Sequence, residues 1–171
     1  MNETMRTLLA RRSVRSFETR QIADEELAQL VQAAVWAPSG MNRQPWKLVV
    51  AQGEMRSRIA AAAEPFPNRG GNPFYGAPTI LLVFTDRRVS TAVQDGSLML
   101  GNMMNAAASL GIGSCWINCM KEVFETEAGR ALKRELVPDE DYTVVGSLAV
   151  GYAKEAPAPK ERREDTVLYF R

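Results

Sequence analysis

Apolar residues recur along this chain at two periods, and each period marks out its own segments. Leu27, Leu30, Val31, Ala34 and Val35 fall at helical spacing and give one apolar face. Asp24 is placed to cap that helix, Glu25 and Glu26 sit favourably against its dipole, and Pro38 ends it. Residues 5–10 read as a shorter helix and residues 54–63 as one of modest amphipathicity. Residues 90–110 read as one long helix closed by Gly111. Its bulky Leu98, Met99, Leu100, Met103 and Met104 alternate with small Gly96, Gly101, Ala106, Ala107 and Ala108. A helix apolar around so much of its girth needs more than one neighbour, inside a monomer's core or at the centre of a dimer. Residues 121–136 complete the helices, stopped by Pro138.

The second period belongs to strands. Residues 79–85 (T-I-L-L-V-F-T) are apolar on both faces, which predicts a central strand in a covered sheet. Residues 47–51 and 143–150 predict two further strands, and residues 113–119 (G-S-C-W-I-N-C) a short extended segment around Trp116. Residues 166–170 are apolar and β-prone and read as a terminal strand. Between these elements, residues 64–78 carry four prolines and three glycines and predict an irregular, mobile segment. Residues 156–163 (A-P-A-P-K-E-R-R) form a linker that its prolines stiffen.

Composition narrows the choices. A chain of 171 residues suits one domain, residues 1–171, with a sizeable core. With 46% hydrophobic and 24% charged residues it reads as globular, and its apolar runs fall far short of a membrane span. The N-terminus lacks a signal-peptide core, which makes a cytoplasmic location the expectation. A net charge of +1 offers no global field for nucleic acid or membrane. There is no histidine, which removes Ser-His and Cys-His catalysis and any histidine base. Cys115 and Cys119 are the only cysteines, too few for a metal site, and read as buried thiols. Chemistry in this chain must come largely from a bound cofactor.

Two stretches are candidates to hold one. Residues 37–46 (A-P-S-G-M-N-R-Q-P-W) join the Leu27–Val35 helix to the next strand. Pro38 and Gly40 shape the backbone, with glycine permitting positive φ, and Ser39, Asn42 and Gln44 supply polar side chains. Pro45 favours an extended Gln44, and Trp46 opens the strand. Residues 11–17 (R-R-S-V-R-S-F) combine guanidinium groups and hydroxyls, the donors that bind phosphate. Taken singly, the first also reads as a polar turn and the second as a solvated basic turn. No G-x-G-x-x-G or Walker loop is present.

With these two stretches, L-G-I-G-S-C-W-I and the late P-x-P-K-x-R complete a set of four motifs. Together, in this order, they resemble the nitroreductase family of FMN enzymes over nearly the whole chain. The resemblance implies an α+β fold with a mixed, mostly antiparallel sheet flanked by helices. It also implies a homodimer whose C-terminal strands are exchanged, with a flavin at each end of the interface. Arg11, Arg12, Ser13 and Arg15 would hold the FMN phosphate and part of the ring, and Lys160 and Arg162 would close over the phosphate. Pro38, Ser39, Gly40 and Asn42 would come from the other subunit, and Trp116, Ile117 and Asn118 would line the opposite ring face, a backbone N–H there facing flavin N5. Asn68, Arg69 and Asn72 are the candidates for the pyrimidine edge.

The activity so implied is ping-pong hydride transfer from NADH or NADPH, through flavin N5, to a small-molecule acceptor such as a nitroaromatic or a quinone. No side chain acts as catalyst and no metal takes part. The family also leaves open reductive dehalogenation, ring dehydrogenation, or a non-enzymatic FMN carrier or redox sensor.

Overall fold

The computed structural model describes residues 1–66, 71–155 and 157–171. Its centre is a sheet of four strands: β1 (Trp46–Ala51), β2 (Thr79–Asp86), β3 (Gly113–Ile117) and β4 (Tyr142–Gly151). They lie in the order β1-β2-β4-β3 with every neighbouring pair antiparallel. A parallel bridge between Ser13 and Ser114 adds the mixed character at the β3 edge. The two central strands carry the apolar runs, as burial on both faces requires.

Alternation along β2 divides the core in two. Ile80, Leu82 and Phe84 point to one face, where α3 (Gly53–Ala63), α5 (Met120–Val123) and α6 (Glu127–Leu136) pack with Ile59, Met120 and Leu132. Leu81 and Val83 point to the other, against Leu30 of α2 (Asp24–Val35) and Met99, Leu100 and Met103 of α4 (Ala92–Ser109). The β2–β4 register slips between Val83 and Phe84, which pair with Gly146 and Val144, so Val145 is the extra residue of a β-bulge.

Several expectations change. The helix expected over residues 121–136 is two, because Thr126 interrupts it and its hydroxyl accepts the Gly129 N–H at 3.0 Å to cap α6. Gly129 sits so close to the end of α5 that a Cβ would lie 1.9 Å from the Val123 carbonyl oxygen. Asp24 is the first residue of α2 and not its cap; Ala23 holds that position and donates its N–H to the Glu26 carboxylate at 2.9 Å. Gly111 closes α4 as expected, at φ +72°.

The terminal strand does not form within the single chain. Thr166 ends a 3-10 turn (Glu164–Thr166), and Val167, Leu168, Tyr169 and Phe170 stay exposed without a ladder among the described residues. α1 (Glu3–Ala10) also buries nothing and leaves Met5, Leu8 and Leu9 in the open. Among the described residues, no helix is long and apolar enough to cross a membrane.

Candidate functional site

The basic strip leaves α1 and is pinned to the β3 side of the sheet. The Val14 N–H donates to Ser114 O at 3.0 Å, the Lys154 N–H to Ser16 O at 3.0 Å, and the Glu18 N–H to Tyr152 O at 2.9 Å. Val14 and Phe17 are buried pegs, and the space a Cβ at Gly113 would need is taken by Val14. With the apolar pegs turned inward, the arginines stay on the accessible side.

The far end of the chain returns to meet them. Pro157, Ala158, Lys160 and Arg162 close a cleft of about 190 Å³ over Arg11, Arg12, Ser13 and Arg15. Five cations therefore line one small space, and among the described residues no carboxylate lines it. None of the five forms an ion pair among the described residues. Arg12 is spent on backbone, donating to Leu9 O at 2.7 Å and Arg11 O at 2.8 Å, and Arg15 donates to Ser13 O at 3.3 Å. Arg11 differs: its Nη1 is buried and has no hydrogen-bond partner among the described residues. A buried, unpaired N–H on a cation is costly, and an anionic oxygen in the cleft removes the cost. The donor set therefore fits a phosphate.

Residues 37–46 are built differently from the expectation. Gly40–Asn42 form a 3-10 turn, and positive φ falls on Met41, Asn42 and Gln44, at +54°, +54° and +47°. Gly40 itself is not left-handed, and Gln44 is not extended. Glycine is needed at 40 for a close approach, since a Cβ there would stand 2.7 Å from Thr91 Oγ1. Three side chains within four residues in a conformation that L residues rarely adopt must be held by their surroundings. The Gln44 N–H donates to Ser39 Oγ at 3.0 Å and its side-chain amide to Asn42 Oδ1 at 3.0 Å. The Gly40 N–H donates to Asp95 Oδ1 at 3.0 Å. Pro38 and Asn42 stay exposed, while Ser39 and Gly40 are half-buried.

The third stretch ends β3. Trp116 is half-buried on the α2/α4 face, Ile117 is buried and Asn118 is exposed. The Ile117 carbonyl accepts the Ser147 hydroxyl at 3.0 Å. Burial pushes the Cys115 thiol up, against the pull of Arg15 and Arg11, and burial with Glu122 pushes up Cys119. Both are free, buried thiols, which matches a packing role.

Within one chain, then, Arg11, Arg12, Ser13, Arg15, Lys160 and Arg162 come together. Pro38, Ser39, Gly40 and Asn42 contribute nothing to their cleft, nor do Trp116, Ile117 and Asn118. Asn72 is exposed and caps its own turn, its Oδ1 accepting the Phe74 N–H at 2.8 Å; Asn68 and Arg69 lie outside the described residues. Asp95, Gly146 and Ser147 are supporting residues that sequence reading passed over. A lone carboxylate inside an apolar helix and a glycine inside an apolar strand were the available signals.

A profile of the nitroreductase family matches residues 8–152. A protein of Archaeoglobus fulgidus, named as a candidate NADH dehydrogenase/NAD(P)H nitroreductase, is 32% identical over 91% of this chain and 88% of its own length. The crystal structure of a Bacteroides fragilis nitroreductase with bound FMN is 30% identical and superposes with a TM-score of 0.86 over all of both chains. An FMN-bound nitroreductase of Desulfitobacterium hafniense, 28% identical, reaches a TM-score of 0.90 over the same full coverage. With its fold, its motifs and most of its length in common with these proteins, the chain belongs to the nitroreductase family.

Proposed function

We propose that this protein is an FMN-dependent NAD(P)H oxidoreductase. The observation that carries the reading is the five-cation cleft with the unpartnered, buried Arg11 Nη1 at its wall. Bound FMN would supply the redox chemistry, taking hydride from NADH or NADPH and passing electrons to an acceptor such as a nitroaromatic or a quinone in alternate half-reactions. Everything else falls to the chain. Arg11, Arg12, Ser13 and Arg15 hold the phosphate from below, and Lys160 and Arg162 close over it. Arg11 brings a donor already desolvated, so it loses little on binding. Trp116, Ile117 and Asn118 line one side of the flavin ring and keep water from it.

A second copy completes the site. Pro38, Ser39, Gly40 and Asn42 lie outside the phosphate cleft of their own chain, which suits a role beside the flavin of a partner. β1 is the edge strand opposite β3, and the exposed segment after Thr166 has the composition to pair with it in the other subunit. The exposed apolar side chains of α1 and the small residues of α4 suit the same homodimer interface. The two free thiols suit a reducing, cytoplasmic compartment.

Stopped-flow spectroscopy of the purified protein under anaerobic conditions tests the activity. The expected result is bound oxidised flavin that NADH or NADPH bleaches rapidly, and that a nitroaromatic or quinone then restores. A protein whose bound flavin neither nicotinamide reduces is a carrier or uses another donor, and the reading fails.

A further inference from the structure

Asp95 is a buried carboxylate that the flavin reading leaves without a task. It is 3% exposed, sits in the first turn of α4, and has no cationic partner among the described residues. Its two oxygens are divided: Oδ1 accepts the Gly40 N–H at 3.0 Å and Oδ2 accepts the Thr91 hydroxyl at 2.8 Å. A carboxylate withdrawn from water without a cation needs strong donors, and the N-terminus of α4 adds its dipole. The Gly40 bond spans 55 residues, so it fixes a distant segment and not a local turn. The segment it fixes is the strained one, where Met41, Asn42 and Gln44 all have positive φ. Thr91 enforces the same contact sterically, since the space a Gly40 Cβ would need is filled by its side chain.

We infer that Asp95 is a positioning residue: it clamps Gly40 onto α4 and so presents Ser39 and Asn42 in the conformation that receives the flavin. This rests on the proposed FMN function, because only a bound flavin gives the loop something to receive. The clamp itself requires no ligand. In its absence the Gly40 N–H loses its partner and the segment that carries the left-handed residues loses its anchor to α4, so the loop relaxes before flavin arrives.

The test compares wild type, Asp95→Ala and Asp95→Asn, each as full-length apo-protein and after FMN addition. Trypsin susceptibility at Arg43, which is exposed in the loop, reads loop order without flavin. Flavin fluorescence quenching reads affinity, and circular dichroism confirms that each variant is folded. Asp95→Ala is expected to open the Arg43 bond to trypsin and to weaken FMN binding by about 10- to 100-fold, the effect of losing a charged hydrogen bond. Asp95→Asn keeps an acceptor for the Gly40 N–H and is expected to recover most of both. Should Asp95→Ala not fold, Thr91→Ala decides instead, and it should give a partial loss of loop protection with a parallel loss of affinity. A folded Asp95→Ala protein (or Thr91→Ala in its place) that binds FMN as wild type does, or whose affinity falls with no change at Arg43, overturns the positioning role while the flavin reading stands. A wild-type protein that binds no FMN overturns both.

Discussion

The indole of Trp116 lies against Gly146 so closely that a Cβ there would stand 2.8 Å from two ring carbons. The two residues sit on adjacent strands, and Gly146 follows the bulged Val145 of β4. The bulge therefore shapes the surface on which the tryptophan rests, beside the backbone proposed to face the flavin. Gly146→Ala must push the indole outward. Overpacking of this kind costs about 1–3 kcal/mol of stability. A displacement of about 1 Å at the reacting atoms can cost roughly 100-fold in rate. Thermal unfolding and the rate of anaerobic flavin reduction should therefore both fall in this variant, the second by more.

The basic cleft, proposed to hold the FMN phosphate, makes a separable prediction. Arg11→Ala and Arg162→Ala should each weaken FMN binding by about 1.5–3 kcal/mol, the scale of a hydrogen bond to a charged group. Arg11→Ala also removes an unsatisfied buried N–H, so its apo-protein should lose little stability or gain some. Calorimetric titration with FMN, beside melting of the apo-proteins, checks both signs. Flavin retention equal to wild type in both variants would show that the phosphate lies elsewhere.

Acid should act on the other side of the molecule. The Arg88 side chain, and secondarily its backbone N–H, hold the Asp86 carboxyl down to about 2. The unfolded value is near 3.9. A depressed carboxyl stabilises the fold above its unfolded pKa and loses that contribution as pH falls through the folded one. The loss attributable to this pair should thus occur between about pH 4 and pH 2. Arg88→Ala should remove it, which urea unfolding across that range measures. Salt should diminish the difference, since Arg88 is solvent-exposed.

Neither cysteine should matter to hydride transfer. Both thiols are buried and pushed toward their neutral form, the opposite of an activated nucleophile. Replacing Cys115 and Cys119 together with alanine should cost packing, about 1–3 kcal/mol in total. The rate of flavin reduction at saturating nicotinamide should stay within a few-fold of wild type. Reduction that depends on a thiol would mean a mechanism other than the one proposed.

What sequence could and could not deliver follows from how local each signal is. The apolar run of β2 specified a central strand because burial on both faces needs no knowledge of partners. That the basic strip would be a binding surface was a reading from composition alone, since guanidinium groups announce their chemistry, and the structure brings Arg11, Arg12 and Arg15 to one cleft with Lys160 and Arg162. The organising loop was legible only as a place. Its positive φ values fall on Met41, Asn42 and Gln44, beside a Gly40 that Asp95 and Thr91, some 50 residues away, hold in close contact. The break between α5 and α6 was missed for a similar reason: the apolar period runs on through Thr126, and a single side-chain cap outweighs it. The terminal strand failed in the single chain because β-propensity supplies no ladder, and a strand needs a neighbour.

That missing neighbour brings the dimer within reach of a sharp test. Gly101 lies on α4, where a Cβ would meet nothing within 4 Å, and exposed Leu98 and Val93 share its helix. A glycine inside a helix costs about 1 kcal/mol relative to alanine. An isolated chain would therefore be no worse, and somewhat better, with a larger residue at this position. If α4 instead packs against the same helix of a second copy, Gly101 is the place where the two backbones come closest, and a side chain there holds them apart. Wild type should scatter light as about twice the 18.9 kDa chain. Gly101→Leu should stay folded by circular dichroism yet shift toward the single-chain mass at low concentration. It should release FMN as it does so, because Ser39 and Asn42 of the second copy leave with the subunit. A Gly101→Leu protein that remains dimeric and flavin-saturated would place the interface away from this face of α4.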